Sequence, residues 1–380
     1  MLVHVPDVPD IRQLEAGSAG VPLDALGWSS AWAERFGELA ADGFEPARVV
    51  RVDREFPLVA AESGVVRAEP AVHLVKSRGV GSRAVVGDWV ALSRPDGHDL
   101  GIVEAILPRS TAFARKDPGE QTGEQVLIAN VDLVFVVQSL SGRGLNVRRL
   151  ERELVLAWES GGTPVVVLAK ADLVDDAGYH AALAQDTARD VDVIVESAVT
   201  GQGLEDVRRR IAPGVTAALL GGSGVGKSTL VNRLLGEELL PTGEVRAADD
   251  KGRHTTVARQ MVMLPGGGIV IDTPGMRGIA LWDAEDGIAS AFPDIDALAE
   301  RCRFRDCAHE SEPGCAVIAA VESGALPARR LESYRALRGE LERLARRQDE
   351  RAWAERDRDG KAIDKAAKRF NAEERKRRGR

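Results

Sequence analysis

The sequence predicts a multidomain protein: an OB-like β-barrel, then an α/β P-loop domain, then a small zinc-binding α-helical domain. Three observations support this prediction. Short β-type runs follow one another from residue 47 to residue 113, strand and helix patterns alternate over residues 118–288, and every cysteine lies after residue 300. We therefore divide the 380 residues into an N-terminal extension, a barrel, an α/β domain and a metal-binding domain with a basic tail, at 1–43, 44–117, 118–288 and 289–380.

The composition is that of a folded globular protein and excludes a disordered chain, with 44% hydrophobic and 29% charged residues. No apolar run reaches the roughly 20 residues that span a bilayer, and no secretory signal is visible. We expect a monomer in the cytoplasm with no membrane partner. The net charge is −8, yet residues 361–380 carry nine basic residues against three acids. That tail is either a solvated helix or an arm that neutralises nucleic-acid phosphates.

The barrel is predicted from five runs without a long helical pattern between them. Residues 1–43 contain one amphipathic helical pattern, Ser30–Ala41. The runs that follow are ARVVRVD, PLVAAE, GVVRAEP, AVVGDWVAL and DLGIVEAIL, separated by Gly, Pro and Asp. The OB-fold is the commonest small barrel that binds nucleic acid. A barrel without a ligand remains an alternative, because aromatic residues for base stacking are scarce here (Phe56, Trp89).

The α/β domain is predicted from five apolar strands with helical patterns between the first four, which is typical of a parallel sheet covered on both faces. The strands are 131–137, 164–169, 191–197, 215–221 and 268–273. A turn at Pro265–Gly268 predicts a hairpin at one edge of this sheet. A helix-forming stretch, Pro327–Asp357, precedes the basic tail.

A phosphate-binding loop follows the fourth of these strands. GGSGVGKS at 221–228 fits G-x-x-x-x-G-K-[ST] between a strand and a helical pattern, which makes an ordinary glycine turn a poor explanation. Backbone N–H groups should surround the phosphates, Lys227 should contact the β- and γ-phosphates as a catalytic residue, and Ser228 should bind Mg²⁺. The predicted nucleotide contacts are Gly221, Gly222, Ser223, Gly224, Val225, Gly226, Lys227, Ser228 and Thr229.

Two further segments complete a phosphate site. DTPG at 272–275 follows a strand, so Asp272 can hold Mg²⁺ through water and the Gly275 N–H can contact the γ-phosphate. KGRHTT at 251–256 lies in a polar loop, where Thr256, or second Thr255, could complete the Mg²⁺ shell only when GTP is bound. A Thr-Thr pair alone is more often an ordinary loop.

A guanine-specific segment is indicated by AKAD at 169–172 and ESA at 196–198. These motifs resemble N-K-x-D and S-A-x of Ras-like GTPases. The resemblance implies that Asp172 accepts hydrogen bonds from guanine, that Lys170 lies along the base, and that Ser197 and Ala198 support it. Ala169 stands where the N-K-x-D motif has Asn, so one polar contact with guanine is missing. Ala171 occupies the variable x position of that motif.

The order of the motifs predicts a circular permutation. The guanine motifs at 169 and 197 precede the phosphate loop at 221, the polar loop at 251–256 and DTPG at 272, whereas they follow these segments in the usual order. Permutation moves the termini to another surface loop and leaves the sheet intact. The α/β unit is thus predicted to be a circularly permuted P-loop GTPase domain.

A metal site is predicted from C-x₄-C-x-H-x₅-C, formed by Cys302, Cys307, His309 and Cys315. Three thiolates and one imidazole give a closed tetrahedral set, which favours one structural Zn²⁺ over a catalytic metal. An accidental cluster is improbable, because it uses every cysteine of the chain.

The succession of an OB-like domain, a permuted GTPase domain and a zinc domain resembles the small-ribosomal-subunit biogenesis GTPases. The residues that carry the resemblance are ANVD at 129–132, the permuted motifs, GRHTT and the cysteine spacing. The resemblance covers about residues 45–320. It implies a factor that binds the 30S subunit and its rRNA, hydrolyses GTP to GDP there, and is stimulated by the subunit. Ala169 and the acidic N-terminal extension depart from the family pattern.

The attacking water needs a positioning group, because Met276 stands where many small GTPases have Gln after D-x-x-G. His254, in the GRHTT loop, is the second predicted catalytic residue beside Lys227; a surface histidine without such a role is the alternative. Two other functions remain open. A zinc-bearing RNA-binding module could use guanine nucleotide as a structural ligand, and a P-loop ATPase or kinase is disfavoured by Asp172 and Ser197.

Overall fold

The computed structural model describes residues 11–53, 56–76, 83–116, 124–142, 144–237, 259–272, 285–343 and 346. Within these ranges the chain forms a small barrel, an α/β layer and a helical C-terminal unit, so the predicted fold class is confirmed. The predicted domain boundaries stay predictions. No helix in the described ranges combines the length and apolarity needed to cross a membrane.

The N-terminal extension packs against the barrel. It contains more ordered structure than the single helix that its sequence predicts. It contains 3-10 turns at Ile11–Gln13 and Asp24–Leu26 and the helix α1 (Ser30–Ala41). Apolar side chains from all three elements are buried in one core. The ring of Trp28 meets that of Trp89 edge-on, with centroids 4.7 Å apart. Trp89 is 1% exposed, so it packs the core and is not available to stack on a base.

The barrel closes on itself through five strands. These are β1 (Glu45–Val52), β2 (Leu58–Ala61), β3 (Gly64–Pro70), β4 (Trp89–Ser93) and β5 (Gly101–Ile106), with helix α2 (Val72–Lys76) after β3. The order is β1-β2-β3-β5-β4, and β4 returns to pair with β1. Small and β-branched side chains fill its interior, as the narrow lumen of such a barrel requires.

The α/β layer follows a two-stranded hairpin of β6 (Ala112–Lys116) and β7 (Glu124–Ala129). Its strands and helices are β8 (Leu133–Ser139), α3 (Val147–Glu159), β9 (Thr163–Ala169), α4 (Ala177–Thr187), β10 (Asp192–Val195), α5 (Leu204–Arg210), β11 (Thr216–Leu220), α6 (Lys227–Leu235), β12 (Arg259–Met263) and β13 (Ile269–Asp272). The sheet order is β10-β9-β8-β11-β13-β12, and all strands except β12 are parallel.

The predicted hairpin of β12 and β13 is present, but its position at a sheet edge is wrong. β12 also pairs with β1 of the barrel, through Arg51 opposite Gln260 and Val52 opposite Arg259. The physical reason is that an exposed outer edge of β12 would leave N–H and C=O groups unpaired, and β1 supplies their partners. Barrel and α/β layer therefore share one continuous sheet.

The C-terminal unit is helical and packs on the α/β layer. It contains α7 (Glu285–Ala291), α8 (Pro293–Ala299), α9 (Ala316–Glu322) and a helix over residues 328–343. Arg330 in this last helix is buried, forms an ion pair with Asp294 at 2.6 Å, and donates to the Thr187 carbonyl at 3.1 Å. The predicted continuation to residue 357 and the basic tail lie outside the described residues.

Candidate nucleotide site and metal centre

The phosphate-binding loop has the backbone that its glycines permit. Gly221, Gly224 and Gly226 have φ angles of 150°, 74° and 119°, which other residues rarely adopt. A Cβ on Gly221 would lie 2.5 Å from the Val137 carbonyl oxygen, so the loop passes directly over β8. Residues 221–226 connect β11 to α6, and Lys227 and Ser228 stand in the first turn of α6.

The Lys227 ammonium lies inside this loop. It donates to the carbonyl oxygens of Gly221 at 2.7 Å and Gly222 at 2.6 Å. Ser228 and Thr229 are half-buried beside it, at the amino end of the helix. Backbone N–H groups at a helix amino end, next to a lysine, form a site for anions such as phosphates.

The guanine segment, Ala169–Asp172, lies against the phosphate-binding loop. Lys170 adopts a left-handed conformation, with φ of 63°, and its ammonium donates to the Gly224 carbonyl at 2.6 Å. The Ser197 hydroxyl donates to Asp172 Oδ1 at 2.5 Å, which orients the carboxylate. The structure therefore brings the two guanine motifs and the phosphate loop together, although they lie far apart in the permuted chain.

The three alanines of the guanine motifs, Ala169, Ala171 and Ala198, are buried or half-buried in this site. Ala169 is 1% exposed, and a Cβ added to Gly226 would lie 3.5 Å from the Ala169 methyl carbon. Ala171 is buried and donates its N–H to the Glu196 carbonyl at 3.0 Å. Ala198 is half-buried directly after Ser197.

The remaining predicted phosphate contacts are only partly described. Asp272 ends β13, which is parallel to β11 with Ile271 opposite Ala218, so its backbone lies at the same sheet edge as the phosphate loop. The Asp272 side chain and all of Gly275 and Met276 lie outside the described residues. So do His254, Thr255 and Thr256, and their roles stay predictions.

Sequence reasoning missed Arg149, which lies against the phosphate loop. Its Nε donates to Glu153 Oε1 at 2.9 Å, and a Cβ on Gly222 would come within 1.7 Å of its guanidinium. Burial raises the pKa of Glu153. The hydrogen bond and positive charge of Arg149 oppose this rise most, followed by the hydrogen bond from Gln138 and the charge of Lys227. An arginine in the first turn of a helix gives no sequence signal for this contact.

Sequence reasoning also missed Glu196, which follows β10 beside the guanine segment. Glu196 is 1% exposed. Burial raises its pKa to about 7, the Asp172 carboxylate adds to the rise, and Arg233 opposes it. The sequence signal was present, because Glu196 directly precedes the Ser197–Ala198 motif.

The metal ligands predicted from sequence form one cluster. The ligand atoms of Cys302, Cys307, His309 and Cys315 all lie within 4.8 Å of one another. Cys302 Sγ is 3.8 Å from Cys315 Sγ, and His309 Nδ1 is 3.6 Å from Cys302 Sγ and 3.4 Å from Cys315 Sγ. Zinc bond lengths predict tetrahedral edges of about 3.8 Å between sulfurs and about 3.5 Å between sulfur and nitrogen. The cluster could hold a metal ion, and its dimensions fit zinc.

The metal ligands lie in the loop between α8 and α9, residues 300–315, called the ligand loop below. Hydrogen bonds from neighbouring groups hold the conformation of this loop. Glu312 accepts from the N–H groups of Ala308 and Glu310, both at 2.8 Å. The hydrogen bond from its own N–H, and then those from these neighbours, lower the pKa of Glu312 to about 2. Cys315 is the N-cap of α9 and accepts from the Ile318 N–H. The sequence identified the ligands but not this carboxylate that organises their loop.

Comparison with known proteins agrees with this geometry. A family model described as "RsgA GTPase" matches residues 106–282. The small ribosomal subunit biogenesis GTPase RsgA of Streptomyces coelicolor is 50% identical over 336 residues, covering 88% of this chain and 90% of that protein. The protein of the same name from Opitutus terrae is 43% identical, with 88% and 94% covered.

Solved structures show the same fold. The crystal structure of YjeQ from Thermotoga maritima matches with a TM-score of 0.58 and 26% identity, covering 76% of this chain and 95% of that one. YloQ, described as a circularly permuted GTPase, matches with a TM-score of 0.57 and 23% identity. The permuted order of motifs, the shared fold and the near full-length relatives lead to one conclusion: the chain belongs to the RsgA family of GTPases, enzymes that hydrolyse GTP.

Proposed function

We propose that this GTPase acts on the small ribosomal subunit, 30S, late in its maturation, hydrolysing GTP on the subunit and then leaving. The observation that carries the proposal is the match over about nine-tenths of its length to relatives named for small-subunit biogenesis. The contact of Lys170 with Gly224 supports the nucleotide part of the proposal, because it joins the segment that would bind guanine to the loop that would bind the phosphates.

In this proposal the phosphate loop and Lys227 bind the β- and γ-phosphates, and Lys227 stabilises the charge that develops during hydrolysis. Asp172 accepts from the guanine N–H groups, with Ser197 orienting it. Ser228 and Thr256 would hold Mg²⁺, which neutralises phosphate charge when bound, and Asp272 and Gly275 would complete the site. His254 orients the attacking water, because the Met276 thioether cannot.

The cysteine cluster would hold one structural Zn²⁺, and this unit would contact rRNA. Four protein ligands leave no open position for a substrate, which favours a structural role. Between two of the ligands, Phe304 is 42% exposed, and the Arg303 guanidinium carbon lies 5.5 Å from its ring centroid. Arg301 and Arg305 are also exposed. An exposed ring among arginines suits an unpaired RNA base and its phosphates.

Other parts of the proposal follow from this partner. The basic tail at 361–380 would neutralise rRNA phosphates. The protein would act as a monomer in the cytoplasm, where ribosomal subunits mature. A module that uses guanine nucleotide only as a structural ligand is not favoured, because the chain's family consists of GTP-hydrolysing enzymes.

The experiment that tests the proposed partner is co-sedimentation with purified 30S, 50S and 70S particles. We expect retention on 30S particles with a non-hydrolysable GTP analogue and release with GDP. Equal retention on 50S particles, or retention that ignores the nucleotide, would contradict the proposal.

A further inference from the structure

The buried carboxyl group of Glu196 is held at the guanine segment by its own backbone. The Glu196 N–H donates to the Leu168 carbonyl at 2.9 Å, and the Glu196 carbonyl accepts from Ala171 at 3.0 Å. These bonds lie on either side of Ala169 and Lys170. The backbone of Glu196 is therefore fixed to the segment, and its side chain starts from a position directly beside Ala169 and Lys170.

The register of the sheet places Glu196 beside Ala169. Val195 lies opposite Leu168 in the parallel pair of β10 and β9, and the next step of this ladder sets Glu196 opposite Ala169. Paired residues of neighbouring strands share a face and lie about 4.8 Å apart. Ala169 offers only a methyl group, so Glu196 can use the space that a longer residue at 169 would occupy.

One oxygen of this carboxyl group lacks a partner. Glu196 is 1% exposed, and its Oε1 makes no hydrogen bond with any residue that the structure describes. Native proteins rarely bury a polar atom without a partner, so an atom of this kind at a binding site points to a functional role. The charged groups that act on this carboxyl are Asp172, in the guanine segment, and Arg233, on α6.

We propose that Glu196 supplies the polar contact that Ala169 lacks, by donating a hydrogen bond from its protonated carboxyl to the acceptor edge of the guanine base. Guanine presents O6 and N7 as acceptors on that edge, whereas adenine presents an amino group beside N7. Glu196 and Asp172 thus bind opposite kinds of atoms, one a guanine acceptor and the other the guanine donors. This inference rests on the proposed guanine site.

The proton gives the contact a pH dependence with a definite sign. The pKa of Glu196 is raised to about 7, chiefly by burial. Below pH 7 the carboxyl is protonated and can donate. As pH rises through 7 it becomes a carboxylate that repels both the guanine acceptors and Asp172, so GDP affinity should fall between pH 6 and pH 8.

The test measures binding of fluorescent GDP and ADP to the full chain. Glu196→Leu, which keeps the size and removes the donor, should weaken GDP binding about tenfold and leave ADP binding unchanged. Glu196→Gln keeps a donor, so its GDP affinity at pH 6 should match wild type within about threefold and stay flat to pH 8. Glu151→Gln, at a buried carboxyl that pairs with Arg330, is the matched control and should keep the wild-type pH profile.

A double variant supplies the rescue. Ala169→Asn should restore GDP affinity in a Glu196→Ala background, because the amide again provides a donor. GDP binding by Glu196→Leu equal to wild type, or a flat wild-type profile from pH 6 to pH 8, would overturn the inference. If Glu196→Leu does not fold, the profile of Glu196→Gln decides. Asp172→Ala distinguishes a failure of the Glu196 contact from a failure of the proposed guanine site. If Asp172→Ala binds GDP normally, the proposed guanine site itself is wrong.

Discussion

At the scale of single residues, the site works because small residues let charged ones approach. Gly221 allows the loop to cross the Val137 carbonyl, and Gly222 leaves room for the Arg149 guanidinium. Lys227 then occupies the loop, bonded to two carbonyl oxygens that a bound phosphate would replace as its partners. In the proposed site, phosphate binding would exchange neutral partners of the ammonium for charged ones, which strengthens its hydrogen bonds.

Lys227→Ala should lower the GTP hydrolysis rate at least about a hundredfold, because it removes the cation that stabilises the developing phosphate charge. The rate is measured in single turnover with saturating GTP. Lys76→Ala, at an exposed lysine on α2, is the control and should hydrolyse GTP at the wild-type rate. Hydrolysis by Lys227→Ala within a few-fold of wild type would remove Lys227 from the catalytic site.

At the scale of elements, the ligand loop between α8 and α9 has little apolar material of its own. Its order comes from the four ligand residues, from Glu312, and from Arg335, which donates to the His309 carbonyl. Metal-binding free energy is folding free energy in units of this kind. The loop and the adjoining helices should therefore depend on the metal more than the central sheet does.

Cys302→Ser should lose the metal and unfold this unit while leaving GDP binding intact, because the nucleotide site lies on the central sheet. Metal analysis of freshly purified wild type should give about one zinc per chain. Hydrogen exchange should then show loss of protection confined to residues after 292 in the variant. Ser311→Ala serves as the control with a full zinc content. Wild-type protein without zinc would refute the assignment of the metal.

The exposed ring of Phe304, in the ligand loop, is expected to contribute to RNA binding. Phe304→Ala should weaken binding of single-stranded RNA by about 1–3 kcal/mol, the contribution of one stacked base. Fluorescence anisotropy with a short labelled RNA measures this change. Tyr179→Ala, at an aromatic residue of α4 that is 61% exposed, should leave RNA binding unchanged. Equal weakening by both substitutions would indicate a nonspecific effect and argue against stacking on Phe304.

At the scale of the whole molecule, Arg48 joins three parts of the chain. It is 2% exposed and donates to the carbonyls of Leu26 in the N-terminal extension, Gly87 in the barrel and Asn130 before β8. Burial lowers its pKa to about 10, while Asp132 and Asp88 oppose the change. The arginine is therefore charged at neutral pH and holds the extension, the barrel and the α/β layer in one arrangement.

Arg48→Leu should lower the free energy of unfolding by at least about 2 kcal/mol, because three buried carbonyl oxygens lose a charged donor. Urea denaturation followed by tryptophan fluorescence suits the measurement, since Trp28 and Trp89 lie at this junction. Arg35→Leu, at an exposed arginine of α1, should change stability by less than about 0.5 kcal/mol. Similar losses in the two variants would contradict the role given to Arg48.

The sequence predicted individual helices, strands and motifs better than the contacts between distant segments. Local patterns sufficed for α3, which spans the predicted Val147–Glu159, and for the metal ligands, whose spacing carries the chemistry. The pairing of β12 with β1 and the burial of Trp89 depend on contacts between distant segments, which no local pattern contains. For the same reason the contact of Arg149 with the phosphate loop went unpredicted. Glu196 stood next to an identified motif, and only its burial, which depends on distant segments, marks it as special.

The most direct test of the central claim is single-turnover GTP hydrolysis with increasing amounts of purified 30S subunits. We expect the rate to rise at least about tenfold with 30S and to stay at its basal value with 50S, because the subunit completes the arrangement that positions the attacking water. His254→Ala should bind GTP and 30S yet lose most of the rise. A wild-type rate that 30S leaves unchanged, or that 50S raises equally, would contradict the account.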